Sequence, residues 1–450
     1  MQFSILKRYQ RKGVQLMLHR FNGRALLTDD MGLGKSVQAM MVADKLGVKT
    51  LIACPASLKW NWVDEYAKFD PKKRLYICEG QTPPHAKMNE VDVFIINYEI
   101  LSYWKKYFIA LGIELFIADE GHWLKNRHAK RTKAAFSLSE HCKHVLLLTG
   151  TPIENRPEEL WSQIYIINRS FFPSWLLFVK RYNGATRGIY GWEMLNATNV
   201  KELHQFLINN CMIRRMKEDV LPDLPARTTQ VIPLEIDNRK EYQKAEDDII
   251  SWIHDNAQHM NIEKAKKVEA QIKIDKLKLI AAQGKLKQFV EWVNETSRNK
   301  KLVVFCYHRK ILHALHNMLD NHVFVPSEVQ GLERQKLVRR FQSDETTRVF
   351  LSTIRVGGTG FNLTASDQTV FLQCDWTASK HDQASDRVRR IGQESDKVFA
   401  TYFIARGTIE EKIIRLLDKK NKESTAIIDG QVVENDQLLT ELLKEYKEAK

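Results

Sequence analysis

Short apolar runs rich in β-branched residues recur along the first third of the chain, at 25–28, 50–53, 93–97, 114–118 and 144–149. Each is separated from the next by a stretch long enough to hold a helix. That is the pattern of a buried parallel sheet with crossover helices. A second series follows at 301–306, 322–325, 347–352, 369–373 and 397–403. The spacing predicts an α/β fold with two parallel-sheet lobes in tandem. Between them, from about 164 to 286, strand signals thin out and charged helical periodicity takes over, predicting helical protrusions and a linker. The expected division is lobe one at 1–165, protrusions and linker at 166–285, and lobe two at 286–450, with residues 421–450 forming a turn, a short strand and a charged helix that brace the second lobe. No short repeat and no low-complexity tract interrupts this plan.

The first strand runs directly into DDMGLGKS, residues 29–36, and a helix-compatible segment follows. A loop between strand and helix with glycines at Gly32 and Gly34 lets backbone N–H groups close around phosphate, and the helix N-terminus adds its partial positive charge. In that setting Lys35 reaches the β and γ phosphates of ATP and the Ser36 hydroxyl holds Mg2+. The common pattern GxxxxGK[ST] has glycine where this chain has Asp29, so the match departs at one position. A Gly-rich turn without a ligand is the alternative. The strand at 114–118 ends in Asp119 and Glu120, followed by Gly121 and His122. Two carboxylates at the end of a buried strand are expensive to desolvate unless a cation or proton is there to manage. Asp119 suits Mg2+, and Glu120 suits activation of an attacking water; a pair of solvated turn carboxylates is the alternative.

Charge adds a partner class. The 450 residues carry 69 Lys and Arg against 55 Asp and Glu, a formal net charge of +14 that favours a polyanion. The run from Lys264 to Lys287 is basic, and serves either as a solvated helix face or as a surface that tracks phosphates. Six scattered cysteines with no CxxC pair indicate neither zinc nor a disulfide framework. No apolar run approaches the roughly 18 residues of a membrane span, and the first residues lack a signal-peptide apolar region. These features place the chain in the cytosol, or in the nucleus of a eukaryote, and its compactness points to a bacterial or viral source.

LKRYQ, DDMGLGKS, LIACPASLKWNWVDE, ADEGHWLKN, LLLTGTPIENRPEELW, KLVVFCYHR, STIRVGGTGFNLTASDQTVFLQCDWTAS and DQASDRVRRIGQ follow one another along the chain. In content and order they resemble the Swi/Snf-type ATPases of helicase superfamily two, over nearly the whole sequence. The resemblance implies two RecA-like lobes that hydrolyse ATP in a cleft between them. It implies that Gln10 reads the adenine edge, that Thr149, Thr151 and His122, with Gln383, couple nucleotide state to lobe movement, and that Gly358 and Gly360 approach the nucleotide or the DNA backbone. Arg387 and Arg390 resemble arginine fingers; an exposed basic helix face is the alternative meaning of such a run.

A duplex held across both lobes would be gripped at strand ends. Candidates are Ser57, Lys59, Asn97, Tyr98 and the run Lys125, Asn126, Arg127, Lys130, Arg131 and Lys133 on lobe one, with Thr353, Arg355 and Thr377 on lobe two. Trp60, Trp62, Trp123 and Trp376 read as packing residues rather than base-stacking platforms. Residues 178–227 look most like the distal branch of the family, which contains annealing helicases that rewind or remodel branched DNA. The expected protein is thus a monomeric ATP-dependent translocase on double-stranded or branched DNA. A strand-separating DNA or RNA helicase and an ATP-gated nucleic-acid clamp are the alternatives.

Overall fold

Alternate residues of each apolar run enter opposite hydrophobic layers, and this makes the runs strands. In β1 (Arg24–Leu27), β2 (Thr50–Cys54), β4 (Val93–Asn97), β5 (Leu115–Asp119) and β6 (His144–Leu148), one layer takes Leu26, Leu51, Phe94, Phe116 and Leu147, and the other takes Leu27, Ile52, Ile95, Ile117 and Leu148. All ten are buried, each contributing about 1.5–3 kcal/mol. A strand buried on both faces reads as a continuous apolar run, as these do.

The computed structural model describes residues 3–153, 157–188, 191–193, 197–221, 224–256, 264–329, 331–357, 361–390 and 392–417. Gly358, Gly360 and the expected brace at 421–450 lie outside these residues. The described residues form two compact units, one within 1–222 and one within 223–422.

The first unit holds a seven-stranded sheet in the order β3-β4-β2-β5-β6-β1-β9, every pairing parallel, where β3 is Leu75–Ile77 and β9 is Met212–Ile213. Helices Lys35–Leu46, Lys59–Phe69, Leu101–Leu111 and Lys130–His141 are the crossovers. Because all strands point one way, the loops after β1, β2, β4, β5 and β6 gather at one edge, where open α/β sheets bind ligands. Helices Trp175–Tyr182 and Val200–Asn210, with a small antiparallel hairpin of β7 (Thr186–Gly188) and β8 (Gly191–Glu193), follow the last crossover region.

The second unit repeats the plan in six strands, ordered β10-β15-β14-β11-β13-β12 and again all parallel. They are β10 (Ala226–Leu234), β11 (Leu302–Cys306), β12 (His322–Val325), β13 (Val349–Thr353), β14 (Gln368–Phe371) and β15 (Lys397–Ala405). Val303, Phe305, Phe350 and Phe371 line one layer; Leu302, Val304, Leu351 and Val370 line the other.

The segment expected to be helical between the lobes therefore also contains strands. β9 adds two residues to the edge of the first sheet beside β1, and β10 pairs along nine residues with β15 at the edge of the second. β10 reads ARTTQVIPL and is largely exposed, so it lacks the apolar run that marked the inner strands. All six cysteines are buried and unbridged. Among the described residues no helix is long and apolar enough to cross a membrane, and no cluster of three or more His, Cys, Asp or Glu is placed to hold a metal.

Candidate nucleotide-binding site

The loop after β1 owes its shape to two left-handed glycines. Gly32 has φ +82° and Gly34 has φ +73°, values that L side chains seldom adopt. A Cβ on Gly34 would lie 2.4 Å from Gln10 Nε2, so a side chain there would push the Gln10 amide aside. Helix Lys35–Leu46 starts immediately after, with Ser36 in its first turn. Gln10, on helix Arg8–Gln15, donates through Nε2 to the Leu33 carbonyl at 3.1 Å, and the Tyr9 hydroxyl donates to the same oxygen at 3.1 Å. The helix expected to read adenine is thereby bonded to the loop expected to hold phosphate.

Lys35 Nζ donates to the carbonyls of Asp29 and Asp30 at 2.7 and 3.1 Å, folding back over its own loop. Burial lowers its pKa, while the charges of Glu120, Asp29, Asp119 and Asp30 oppose that shift. Asp119 ends β5, two strands from β1 in the sheet. Its carboxyl is pushed up to about 7, first by burial and next by Glu120, against the hydrogen bond from Trp62 and the Lys35 charge. Trp62 Nε1 donates to Asp119 Oδ2 at 3.0 Å, and the Tyr98 hydroxyl donates to the Asp119 carbonyl at 2.7 Å.

Glu120 takes a left-handed backbone, φ +52°, the kind of conformation that surrounding structure must impose on a non-glycine residue. Its Oε2 is buried without a hydrogen-bond partner, 3.4 Å from His122 Nδ1. His122 Nδ1 lies 3.2 Å from Thr149 Oγ1, and that oxygen accepts from the Thr151 amide at 3.1 Å. Gly150 brings this turn against the phosphate loop, since a Cβ there would meet Met31 Cγ at 2.9 Å and Lys35 Nζ at 3.5 Å. Lys35, Asp119, Glu120, His122, Thr149 and Thr151 thus converge at the strand-end edge of the first unit. A buried carboxylate oxygen with no hydrogen-bond partner beside a second carboxylate suits a divalent cation, and the neighbouring Lys35 ammonium suits the phosphates that such a cation carries.

The expected nucleic-acid contacts divide by exposure. Asn126, Lys130 and Lys133 are exposed. Lys125 pairs with Glu159 at 3.0 Å, Arg127 stacks on Trp175 at 4.0 Å, and Arg131 donates to the Trp123 carbonyl at 2.7 Å. Lys59 donates to the Cys78 carbonyl at 3.1 Å and Asn97 to Glu99 at 2.7 Å, while Ser57 is half-buried in the turn before helix Lys59–Phe69. Tyr98 differs from expectation: at 1% exposure its ring stacks on Trp123 and its hydroxyl serves Asp119, leaving nothing for a phosphate to touch.

In the second unit Arg355 is exposed and lies 3.6 Å from buried Asp375, whose other carboxylate oxygen accepts from the Thr377 amide at 3.2 Å. Thr353 is buried. Gln383 lies on helix Ala378–Ser385; Arg387 follows it at 4% exposure, and half-buried Arg390 donates to the Asp386 carbonyl at 3.1 Å. Arg389 donates to the Pro225 carbonyl at 2.9 Å and Arg227 pairs with Asp382 at 2.8 Å, so the arginine-rich segment is fastened to the start of β10.

Three residues with clear places in the first site were not singled out from the sequence for such roles: Trp62, Gln38 and Arg215. Gln38 is a fully buried amide in a helix whose neighbours are apolar, a signal legible in retrospect. Arg215 meets Asp29, the position that departs from the common loop pattern.

The SNF2-related domain matches residues 9–291 and the helicase conserved C-terminal domain matches residues 284–392. The chain is 30% identical over 444 residues to the human (Homo sapiens) DNA annealing helicase and endonuclease ZRANB3, covering 94% of this chain and 40% of that protein. It is 31% identical over 435 residues to the SWI/SNF-related matrix-associated actin-dependent regulator of chromatin subfamily A-like protein 1 of Xenopus tropicalis, covering 93% and 44%. The chain therefore spans less than half the length of either relative. Among solved structures, the Sulfolobus solfataricus SWI2/SNF2 ATPase core in complex with dsDNA aligns over 96% of this chain and 97% of its own, at 24% identity and a TM-score of 0.46. With the SNF2-related match running through the phosphate loop, the acidic strand end and the linker, this chain belongs to the SNF2-related family.

Proposed function

We propose that this chain hydrolyses ATP to ADP and phosphate and uses the cycle to move on duplex DNA, remodelling or reannealing double-stranded or branched structures as a monomer. The observation that supports it best is the convergence of the Lys35 ammonium with the Asp119 and Glu120 carboxylates beside a glycine-shaped loop. The duplex substrate is supported by the net charge of +14 and by the family's annealing helicases.

The chain's own residues divide the work. Gly32 and Gly34 leave the loop amides open to phosphate, and Lys35 exchanges its bonds to the Asp29 and Asp30 carbonyls for phosphate oxygens. Gln10, bonded to Leu33, carries the adenine contact into the same loop. Glu120 accepts a proton from the attacking water, a role suited to a carboxylate oxygen that no donor occupies. His122 lies 3.4 Å from that carboxylate and hydrogen-bonds Thr149, which accepts from the Thr151 amide in the turn after β6, and with Gln383 these residues report nucleotide state. Arg387 and Arg390 stabilise transition-state charge, and Gly358 and Gly360 approach the nucleotide or DNA. Ser36 and Asp119 would hold Mg2+, which when bound neutralises charge on the phosphates. Ser57, Lys59, Asn97, Asn126, Lys130, Arg355 and Thr377 contact the DNA backbone, whereas Thr353, like Tyr98, is buried away from it.

ATPase rates with duplex DNA, single-stranded DNA and RNA at matched phosphate concentration test this reading. The duplex is expected to stimulate most; greater stimulation by single strands would establish the strand-separating alternative instead. Displacement of a triplex third strand separates a moving enzyme from a clamp.

A further inference from the structure

Asp29 is an odd residue to begin a phosphate-binding loop. Its side chain is wholly buried, and a bare carboxylate there would repel the polyphosphate that the loop is built to receive. Arg215 answers that charge with a fork: Nε donates to Asp29 Oδ1 at 2.9 Å and Nη2 to Oδ2 at 2.5 Å. The guanidinium also donates to Gln38 Oε1 at 2.8 Å and to the Tyr9 carbonyl, and Gln38 Nε2 returns to Asp29 Oδ2 at 3.1 Å. Gly13 makes room for it, since a Cβ there would stand 2.6 Å from Nη2.

The backbone around Arg215 is zipped to the same loop. The Thr28 amide donates to the Ile213 carbonyl at 2.8 Å, the Asp30 amide to the Arg215 carbonyl at 3.0 Å, and the Lys217 amide to Asp30 Oδ2 at 3.1 Å. Three successive residues of the strand-to-loop turn, 28–30, are therefore held by the segment 213–217. Position 29 does not adopt a left-handed backbone, so glycine is not required there for conformation and a side chain is free to enter the pair.

We infer that Arg215 is a positioning residue for the nucleotide: by forking onto Asp29 it cancels a buried charge beneath the phosphate loop and fixes the turn between β1 and that loop. The inference rests on the ATP-binding reading above. It assigns to Arg215 no contact with ATP, only control of the surface that ATP meets.

The test is equilibrium binding of a fluorescent ATP analogue with magnesium, alongside thermal unfolding and the ATPase rate at saturating ATP. Arg215→Met is expected to weaken nucleotide binding at least tenfold while the saturated rate stays within about threefold. The double variant Asp29→Asn, Arg215→Met, which removes both charges, is expected to bind within about threefold of wild type. Arg215→Lys keeps the charge without the fork and is expected to weaken binding at least threefold; it also serves if Arg215→Met does not fold. Wild-type affinity in both single variants, or a double variant as weak as Arg215→Met, overturns the inference. A lowered melting temperature with unchanged affinity in the folded protein does so too, because it marks a merely structural pair. Lys35→Ala is the control. If it loses nucleotide and the Arg215 variants do not, only this inference falls; if it binds ATP normally, the nucleotide site itself is misplaced.

Discussion

Replacing Trp62 by phenylalanine removes one hydrogen bond and leaves a small space in the core. The indole is 2% exposed and donates to Asp119 Oδ2 at 3.0 Å. A hydrogen bond to an ionised carboxylate contributes about 1.5–3 kcal/mol, whereas the space left by the smaller ring costs on the order of 1 kcal/mol. The two quantities appear in different measurements. Without a cation, Asp119 has its carboxyl raised to about 7 and can take up a proton when its donor is lost, so folding stability is partly protected. The proposed contact of Asp119 with Mg2+ requires the ionised, oriented form, and there the full loss is felt. The half-saturating magnesium concentration of the ATPase at fixed ATP is therefore expected to rise roughly 10- to 100-fold in Trp62→Phe, at about 1.4 kcal/mol per tenfold. The melting temperature should fall by only a few degrees. A magnesium requirement within twofold of wild type, whatever happens to the melting temperature, would refute the idea that Trp62 orients Asp119.

Glu120→Gln should retain ATP and duplex binding while turnover falls by about 10²–10⁴, as seen in single-turnover hydrolysis with filter binding. Arg390→Ala should lower the saturated rate by about 10³–10⁵ with nucleotide affinity unchanged; unaltered hydrolysis would remove Arg390 from the reaction. Neutralising exposed Lys130 and Lys133 should reduce the slope of log affinity for duplex against log salt by roughly 0.9 each, whereas Arg127→Ala, which loses its stack on Trp175, should alter stability more than that slope. Buried His381 has its pKa lowered to about 4, first by desolvation, against the hydrogen bond to the Asp375 backbone and the Asp375 charge. The folded value lies below the ordinary 6.5, so the contribution to stability, on the order of 3 kcal/mol, is present above pH 6.5 and is lost as the pH falls towards 4. Chemical denaturation across that range should show the decline, and His381→Gln should flatten it.

The inner strands were readable because burial on both faces leaves an unbroken apolar run, as in Leu-Phe-Ile-Ala at 115–118. The edge strands were not. β9 is two residues long, and β10 begins with a consecutive run of exposed, mostly polar residues, so neither carries the signal that periodicity detects. The site divides in the same way. Lys35, Ser36, Asp119 and Glu120 are local patterns at strand ends, legible from a few neighbouring residues. Trp62 reaches Asp119 across 57 positions and Arg215 reaches Asp29 across 186, and such partners become visible only when the sheet sets β2 beside β5 and β1 beside β9. The departure at Asp29 was visible as a mismatch; its physical reason lay in a residue far along the chain. Tyr98 shows the reverse error, since a polar aromatic at a strand end looks like a surface contact until its burial is known.

β10 ends the second sheet, and nine consecutive residues of an unprotected outer strand would offer a template for a neighbouring polypeptide to extend. Pro233 deletes one amide from that row, and the cationic Arg227 sits near its beginning. Replacing Pro233 by valine would restore a continuous donor edge beside Val231 and Ile232, and the foreseeable outcome is self-association of the chain rather than a better fold.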